Sequence, residues 1–164
     1  MKTLKVLFLI TGMSLVSAFT IHQKNCGEAP PINKLIVTFV KANIGKKVGR
    51  GECWDLAAQA LNQTGALWDG AYAFGKRLDL TKDCVFPGDI IQFENVQVQY
   101  TKQNAVYRET MDHHTAVVFS VDENKNMVLA EQNTSDGGKR VRLSEFIPGN
   151  VRTGNVYVYR PVAP

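Results

Sequence analysis

His114-Thr115-Ala116-Val117-Val118-Phe119-Ser120-Val121, Asp122-Glu123-Asn124-Lys125-Asn126 and Met127-Val128-Leu129-Ala130-Glu131-Gln132-Asn133 form one continuous stretch, and its reading decides the fold. Two runs rich in β-branched and aliphatic residues flank five turn-forming ones, which makes the stretch an antiparallel hairpin. Reversal near Asn124 brings His114, at the start of one strand, opposite the end of the other, where Glu131, Gln132 and Asn133 lie. Alternation along that return strand puts Glu131 and Asn133 on one face and Gln132 on the other. It also sends His113 and His114 to opposite faces, so only one of them can serve a given site. We take His114 for that part and His113 as a surface or edge residue.

Working outward, Ile90-Ile91-Gln92-Phe93 opens an earlier strand after the turn Val85-Phe86-Pro87-Gly88-Asp89, and Val96, Val98 and Tyr100 alternate with polar residues. Val141-Arg142-Leu143 and Val156-Tyr157-Val158-Tyr159 give later strands, separated by Phe146-Ile147-Pro148-Gly149. Upstream the period changes. From Asn33, the residues Leu35, Ile36, Phe39, Val40 and Ile44 recur at helical spacing until Gly45. A second helix is expected from Cys53 through Asn62, stopping near Gly65. Helices first and a meandering antiparallel sheet afterwards is an α+β plan.

The chain has 164 residues, 45% of them hydrophobic and 21% charged, with 13 Gly and 6 Pro. That composition excludes a disordered chain, a collagen-like repeat and a coiled coil, and it fits one compact core. Residues 1–18 combine Lys2 and Lys5, an apolar run and the small-residue end Val16-Ser17-Ala18, the pattern of a cleaved secretory signal. Its removal lowers the formal net charge from +4 to +2, too little to imply a strongly charged partner. The expected organisation is therefore signal peptide 1–18, a leader over 19–31, and one domain over 32–164. The exported product is expected to be a soluble monomer, with no membrane attachment after signal cleavage.

Three cysteines in an oxidising compartment leave one sulfur over. Cys26 with Cys84 is the favoured pair because Cys53 sits where chemistry can use it, although the sequence leaves the other pairings open. Cys53 follows the turn Val48-Gly49-Arg50-Gly51-Glu52 and falls in the first turn of its helix. There the exposed N–H groups and the helix dipole stabilise a thiolate and can hold an oxyanion. A nucleophilic thiol needs a base and the base needs an orienting group. His114 and the Glu131/Asn133 face supply candidates for both. Trp54 is expected to pack in the core, and Asp55 to cap the helix or pair with Arg50.

The phrases G-x-C-W-D-L-A at Cys53, Pro87-Gly88-Asp89-Ile90-Ile91, H-T-A-V-V at His114 and A-E-Q-N at Glu131 resemble, in order, the motifs of CHAP and NlpC-type cysteine amidases and peptidases, a papain-like superfamily. G-E-C-W-D-L-A and D-H-H-T-A-V-V also resemble the cysteine-proteinase-fold domain found in some fungal actin-patch proteins and in secreted stand-alone relatives. The resemblance implies a papain-like arrangement of N-terminal helices packed on an antiparallel sheet. It implies Cys53 as nucleophile, His114 as base and then acid, Glu131 as orienter and Asn133 as an auxiliary polar group. No cofactor is implied. The chain departs from the pattern in the polar insertion between Glu94 and Asp112.

The expected activity is hydrolysis of amide bonds in a peptide or peptidoglycan-like substrate. The alternative is a catalytically idle domain of the same fold, used for binding. A metal site built from Cys53, Asp112, His113 and His114 lacks the paired-ligand spacing of structural zinc. Lys139-Arg140-Val141-Arg142 has no aromatic interleaving, so no nucleic acid partner is expected.

Overall fold

The computed structural model describes residues 26–135 and 137–164. The expected signal peptide, 1–18, and the leader up to residue 25 lie outside the described residues. Helix α1 spans Pro31–Asn43, with proline in its first turn where a missing N–H costs nothing. Its buried side is Ile32, Asn33, Ile36 and Val40. This stripe is narrower than the sequence reading: Leu35 is 56% exposed and Ile44 lies beyond the helix. Helix α2 runs Cys53–Thr64 and ends at Gly65, whose left-handed φ of 71° lets the chain turn out while Ala66 N–H closes onto the Leu61 carbonyl at 3.0 Å.

The strands are β1 (Lys76–Arg77), β2 (Ile90–Lys102), β3 (Ala105–Val121), β4 (Met127–Glu131), β5 (Arg142–Phe146) and β6 (Val151–Arg160), the last preceded by a 3-10 turn at Pro148–Asn150. They form one six-stranded sheet in the order β1-β6-β2-β3-β4-β5, with every pairing antiparallel. Two helices and a mostly antiparallel sheet realise the α+β plan. The polar insertion proves to be a hairpin: β2 and β3 pair from Ile90↔Val117 out to Lys102↔Ala105. They reverse through Gln103 and Asn104, both at positive φ (49° and 63°).

Alternation gives the sheet two apolar faces. Ile90, Val117 and Ala130 meet Ile36, Val40, Leu56 and Leu61 of the helices. Ile91, Phe93, Val118, Leu129 and Val158 face the other way, with Phe146. The β2–β3 ladder steps from Glu94↔His113 to Val96↔Met111 past Asn95, at φ 52°, and parity changes there. Val96 and Val98 thereby return to the face of Phe93.

The Pro-Gly-Asp turn joins the two layers. Asp89 is fully buried and accepts hydrogen bonds from Asn33 Nδ2 (2.7 Å), Phe86 N–H (2.8 Å) and Arg160 Nε and Nη2 (2.7 and 2.8 Å). A buried carboxylate is tolerated only when paired and hydrogen-bonded in this way. Gly88, at φ 89°, lies so close to the Asn33 backbone that a Cβ would collide with it. Cys26 and Cys84 are bridged, with Cα atoms 5.8 Å apart, and Cys53 is the free thiol among the described residues.

Candidate active site

Cys53 is the first residue of α2. The turn before it is built by Asp55, whose Oδ2 accepts the N–H groups of Arg50 (2.7 Å) and Glu52 (3.2 Å) while Oδ1 meets the Arg50 guanidinium at 3.4 Å. Capping and pairing with Arg50, the two roles expected of Asp55, are both present. The same turn is held from the sheet by Gln132. Its fully buried amide accepts Val48 N–H (3.2 Å) and donates to the carbonyls of Val48 (3.0 Å) and Glu52 (2.8 Å).

Pairing between β3 and β4 runs from Val121↔Met127 to Val117↔Ala130 and no further. His114 and Glu131 lie just beyond the last pair, where the two strands part. His114 Nε2 and Glu131 Oε2 are 2.7 Å apart, and both residues are buried. With Nε2 taken by the carboxylate, Nδ1 remains for Cys53, whose thiol is near enough to the imidazole and to the main-chain N–H groups of Thr115 and Trp54 for all three to favour its thiolate. Glu131 is itself held: Ser144 Oγ donates to Oε1 at 2.6 Å, and Arg142 Nη2 lies 3.5 Å from the same oxygen.

Electrostatics follow from this chain of contacts. Burial alone would raise the Cys53 thiol, but the hydrogen bond to His114, the Thr115 N–H and the imidazolium charge outweigh it and hold the thiol below its ordinary 9.0. Burial likewise disfavours a charged His114, yet its bonds to Cys53 and Glu131 carry it from 6.5 up to about 9. Glu131 is desolvated too, and His114 and Ser144 nonetheless keep it below 4.5. Each charged form stabilises the others, so the contacts bias the three groups toward thiolate, imidazolium and carboxylate.

Asn133 is placed differently from Glu131. Strand β4 stops at Glu131, and Asn133 is exposed at φ 62°, so the alternation expected to carry it onto the Glu131 face ends before it. Its Nδ2 donates to Glu52 Oε2 at 2.8 Å, tying it to the residue before the thiol. His113 faces the opposite side from His114, where Nδ1 lies 2.9 Å from Glu94 Oε2 and the ring meets Tyr72 edge-on at 4.5 Å. Among the described residues no group of three His, Cys, Asp or Glu side chains is disposed to hold a metal ion. Trp54 is partly buried against the helix-side core and donates Nε1 to the Ala71 carbonyl at 2.6 Å. Of the basic run, Lys139 pairs with Glu52 at 2.7 Å, Arg140 donates to the Gly45 carbonyl at 2.9 Å, and Val141 is buried.

Gln132, Ser144, Arg142 and the Thr115 amide contribute to the site without having been singled out from sequence. Gln132 falls inside the A-E-Q-N phrase, where alternation signalled only that it faces away from Glu131. Nothing local marks Ser144 as a partner of a residue 13 positions earlier.

A free thiol at a helix start, facing a buried His–Glu pair on an antiparallel sheet, belongs to a papain-like, cysteine-proteinase-fold domain. The chain is a member of the AIM3/BBC1 cysteine proteinase-fold domain family, whose model matches residues 31–164. A curated relative is Altered inheritance of mitochondria protein 3 of Debaryomyces hansenii, 28% identical over 148 residues. That alignment covers 77% of this chain and 15% of the relative, so the present chain spans about a seventh of that protein's length. Among solved structures, the crystal structure of Ly7917 with the hydrolyzing product of MDP is similar over 79% of this chain and 62% of that one, at 19% identity and a TM-score of 0.47.

Proposed function

We propose that the protein is a secreted cysteine hydrolase that cleaves amide bonds in peptide or peptidoglycan-type substrates. The observation that carries this reading is the continuous contact from Cys53 through His114 to Glu131. In the reaction, the Cys53 thiolate adds to the scissile carbonyl carbon, forming a C–S bond and an oxyanion. Main-chain N–H groups at the start of α2 are placed to receive that charge. The His114 imidazolium then gives its proton to the departing amine as the C–N bond breaks, leaving a thioester. Water, deprotonated by neutral His114, hydrolyses the thioester and restores the thiol. Glu131 fixes the ring orientation and supports the imidazolium, with Ser144 and Arg142 holding the carboxylate in turn. Asn133 acts one step back, by joining the β4 end to Glu52.

The test is labelling followed by assay. Iodoacetamide at neutral pH should modify Cys53 far faster than an unperturbed thiol, the rate should fall in His114→Ala, and amide hydrolysis should vanish in Cys53→Ala. Slow labelling, insensitive to His114, would overturn the reading. The second reading, an idle domain that binds a partner, draws on how little His114 and Glu131 meet solvent, at 9% and 7% exposed. It requires that Cys53→Ser leave every function of the protein intact. Export is tested by sequencing the N-terminus of the secreted product, expected to begin at Phe19.

A further inference from the structure

Two short basic runs, far apart in the chain, meet beside the thiol, and what they imply rests on the hydrolase reading above. Gly45 N–H donates to the Val141 carbonyl and Val141 N–H to the Lys46 carbonyl, each at 2.8 Å, which lays segment 139–141 along the residues just after α1. Lys46-Lys47 and Lys139-Arg140 therefore stand side by side. Two of these lysine stems converge on Gly51, where a Cβ would lie 2.7 Å from Lys139 Cβ and 3.1 Å from Lys47 Cδ. Gly51 is two residues before Cys53, and chain geometry keeps their Cα atoms within about 7 Å of each other. Arg50, between the two runs and the thiol in sequence, completes the group.

All five cations are exposed, and the carboxylates among them are already engaged. Glu52 is held through Oε1 by Lys139 at 2.7 Å and through Oε2 by Asn133 at 2.8 Å. Asp55 is buried and gives Oδ2 to two main-chain N–H groups, which leaves Arg50, 77% exposed, a contact of 3.4 Å with Oδ1. Among the described residues Lys47 has no carboxylate partner. Five cations to two carboxylates leaves three positive charges in excess. Like charges gathered at one place raise the local concentration of anions there. The effect reaches the thiol, because the span from Gly51 to Cys53 falls inside the screening length of about 10 Å at 0.1 M salt.

We propose that the preferred substrate is an acidic peptide, bound so that a carboxylate near the scissile amide meets Lys47 and Arg50. These two side chains select the substrate without touching the reacting bond. Chain geometry puts that carboxylate about one or two residues from the bond that breaks. Lys139 has a different part: by pairing with Glu52 it neutralises the carboxylate next to the thiol in sequence, which would otherwise repel such a ligand.

N-iodoacetyl-glutamate α-amide and N-iodoacetyl-glutamine α-amide test this. The thiolate displaces iodide from each to form the same thioether, and the two probes differ only in a carboxylate against a neutral amide. Rates at Cys53 are compared at neutral pH in about 20 mM and about 500 mM salt. The glutamate probe should react about five- to tenfold faster at low salt and within about twofold at high salt. The His114 imidazolium attracts an anion too, so the variants carry the decision. Lys47→Glu should cut the low-salt preference about fourfold and Arg50→Gln about twofold, with the glutamine probe's rate unchanged. If Lys47→Glu does not fold, Lys47→Gln should still cut the preference about twofold. A preference untouched by these variants, with the glutamine probe still fast, would overturn the acidic-substrate proposal and leave the hydrolase standing. A glutamine probe that reacts no faster than with an unperturbed thiol would remove both.

Discussion

Two histidines adjacent in sequence each face a glutamate, on opposite sides of the same strand. His114 meets Glu131 at 2.7 Å with side chains only 11% and 9% exposed, whereas His113 meets Glu94 at 2.9 Å with 45% and 30% exposed. The pairs are almost equal in distance, so distance does not separate them. What separates them is the third partner and the loss of water: a thiol stands on the far side of His114, and a tyrosine ring on the far side of His113. Exposed ion pairs are worth little because solvent screens them, and buried ones with further hydrogen bonds hold a proton in a chosen place. His113 and Glu94 are thus an internal control for the site.

The comparison breaks most visibly in turnover. His114→Ala should lower amide hydrolysis by about 10²- to 10⁴-fold, the usual worth of a positioned acid–base group, while His113→Ala stays within about threefold. Glu131→Gln should lower hydrolysis about 10²-fold in steady-state assays, since the ring keeps a neighbour but loses the charge that supports its protonated form. Gln132→Ala, read by urea unfolding, should cost about 1–3 kcal/mol, the penalty of leaving one buried group unpaired. It strips the Val48 N–H of its partner, while the carbonyls of Val48 and Glu52 keep the N–H groups of Gly51 and Asp55.

The pH dependence sharpens the same contrast. His114 is raised in the folded state, so its contribution to stability is complete below its ordinary 6.5 and is lost as pH rises through about 9. Glu131 is lowered, so its contribution is present above 4.5 and is lost as pH falls through its folded value. Melting temperature plotted against pH should show both flanks in the wild type and flatten in Glu131→Gln. Hydrolysis should likewise fade above about 9 as the imidazolium is lost. The smallest effect belongs to the exposed pair: Glu94→Gln should change stability by less than about 1 kcal/mol in the same unfolding assay.

Much of this was legible because several signals agreed. The β3–β4 hairpin announced itself by composition and by five consecutive turn formers, and α2 by its glycine entry and its stop at Gly65. The disulfide followed from asking which sulfur chemistry needed. The β2–β3 ribbon was opaque for a physical reason. Residues 101–110 are exposed on both faces, so no alternation marks them, and the reversal at Gln103-Asn104 carries no glycine to signal a two-residue turn. Strand β5 was read as three residues and extends to Phe146, because Ser144 and Glu145 look polar until their pairing with β4 is known. Leu35 was drawn into the helical stripe by its hydropathy, whereas the packing selects residues four apart, Ile32, Ile36 and Val40. Asn133 shows the limit of alternation: the rule holds only while the strand lasts.

The bridge between Cys26 and Cys84 has a bearing beyond the pairing itself. It closes a span of 58 residues that contains both helices and ends just before β2. In the chain-entropy account such a loop restrains the unfolded chain by about 4 kcal/mol. The Cys53 sulfur rides on the tethered part, while the His114 imidazole and Glu131 carboxylate sit outside it. Reductant would therefore loosen the sulfur's support while sparing the other two groups, which makes the redox state of the surroundings a determinant of whether the three ever meet.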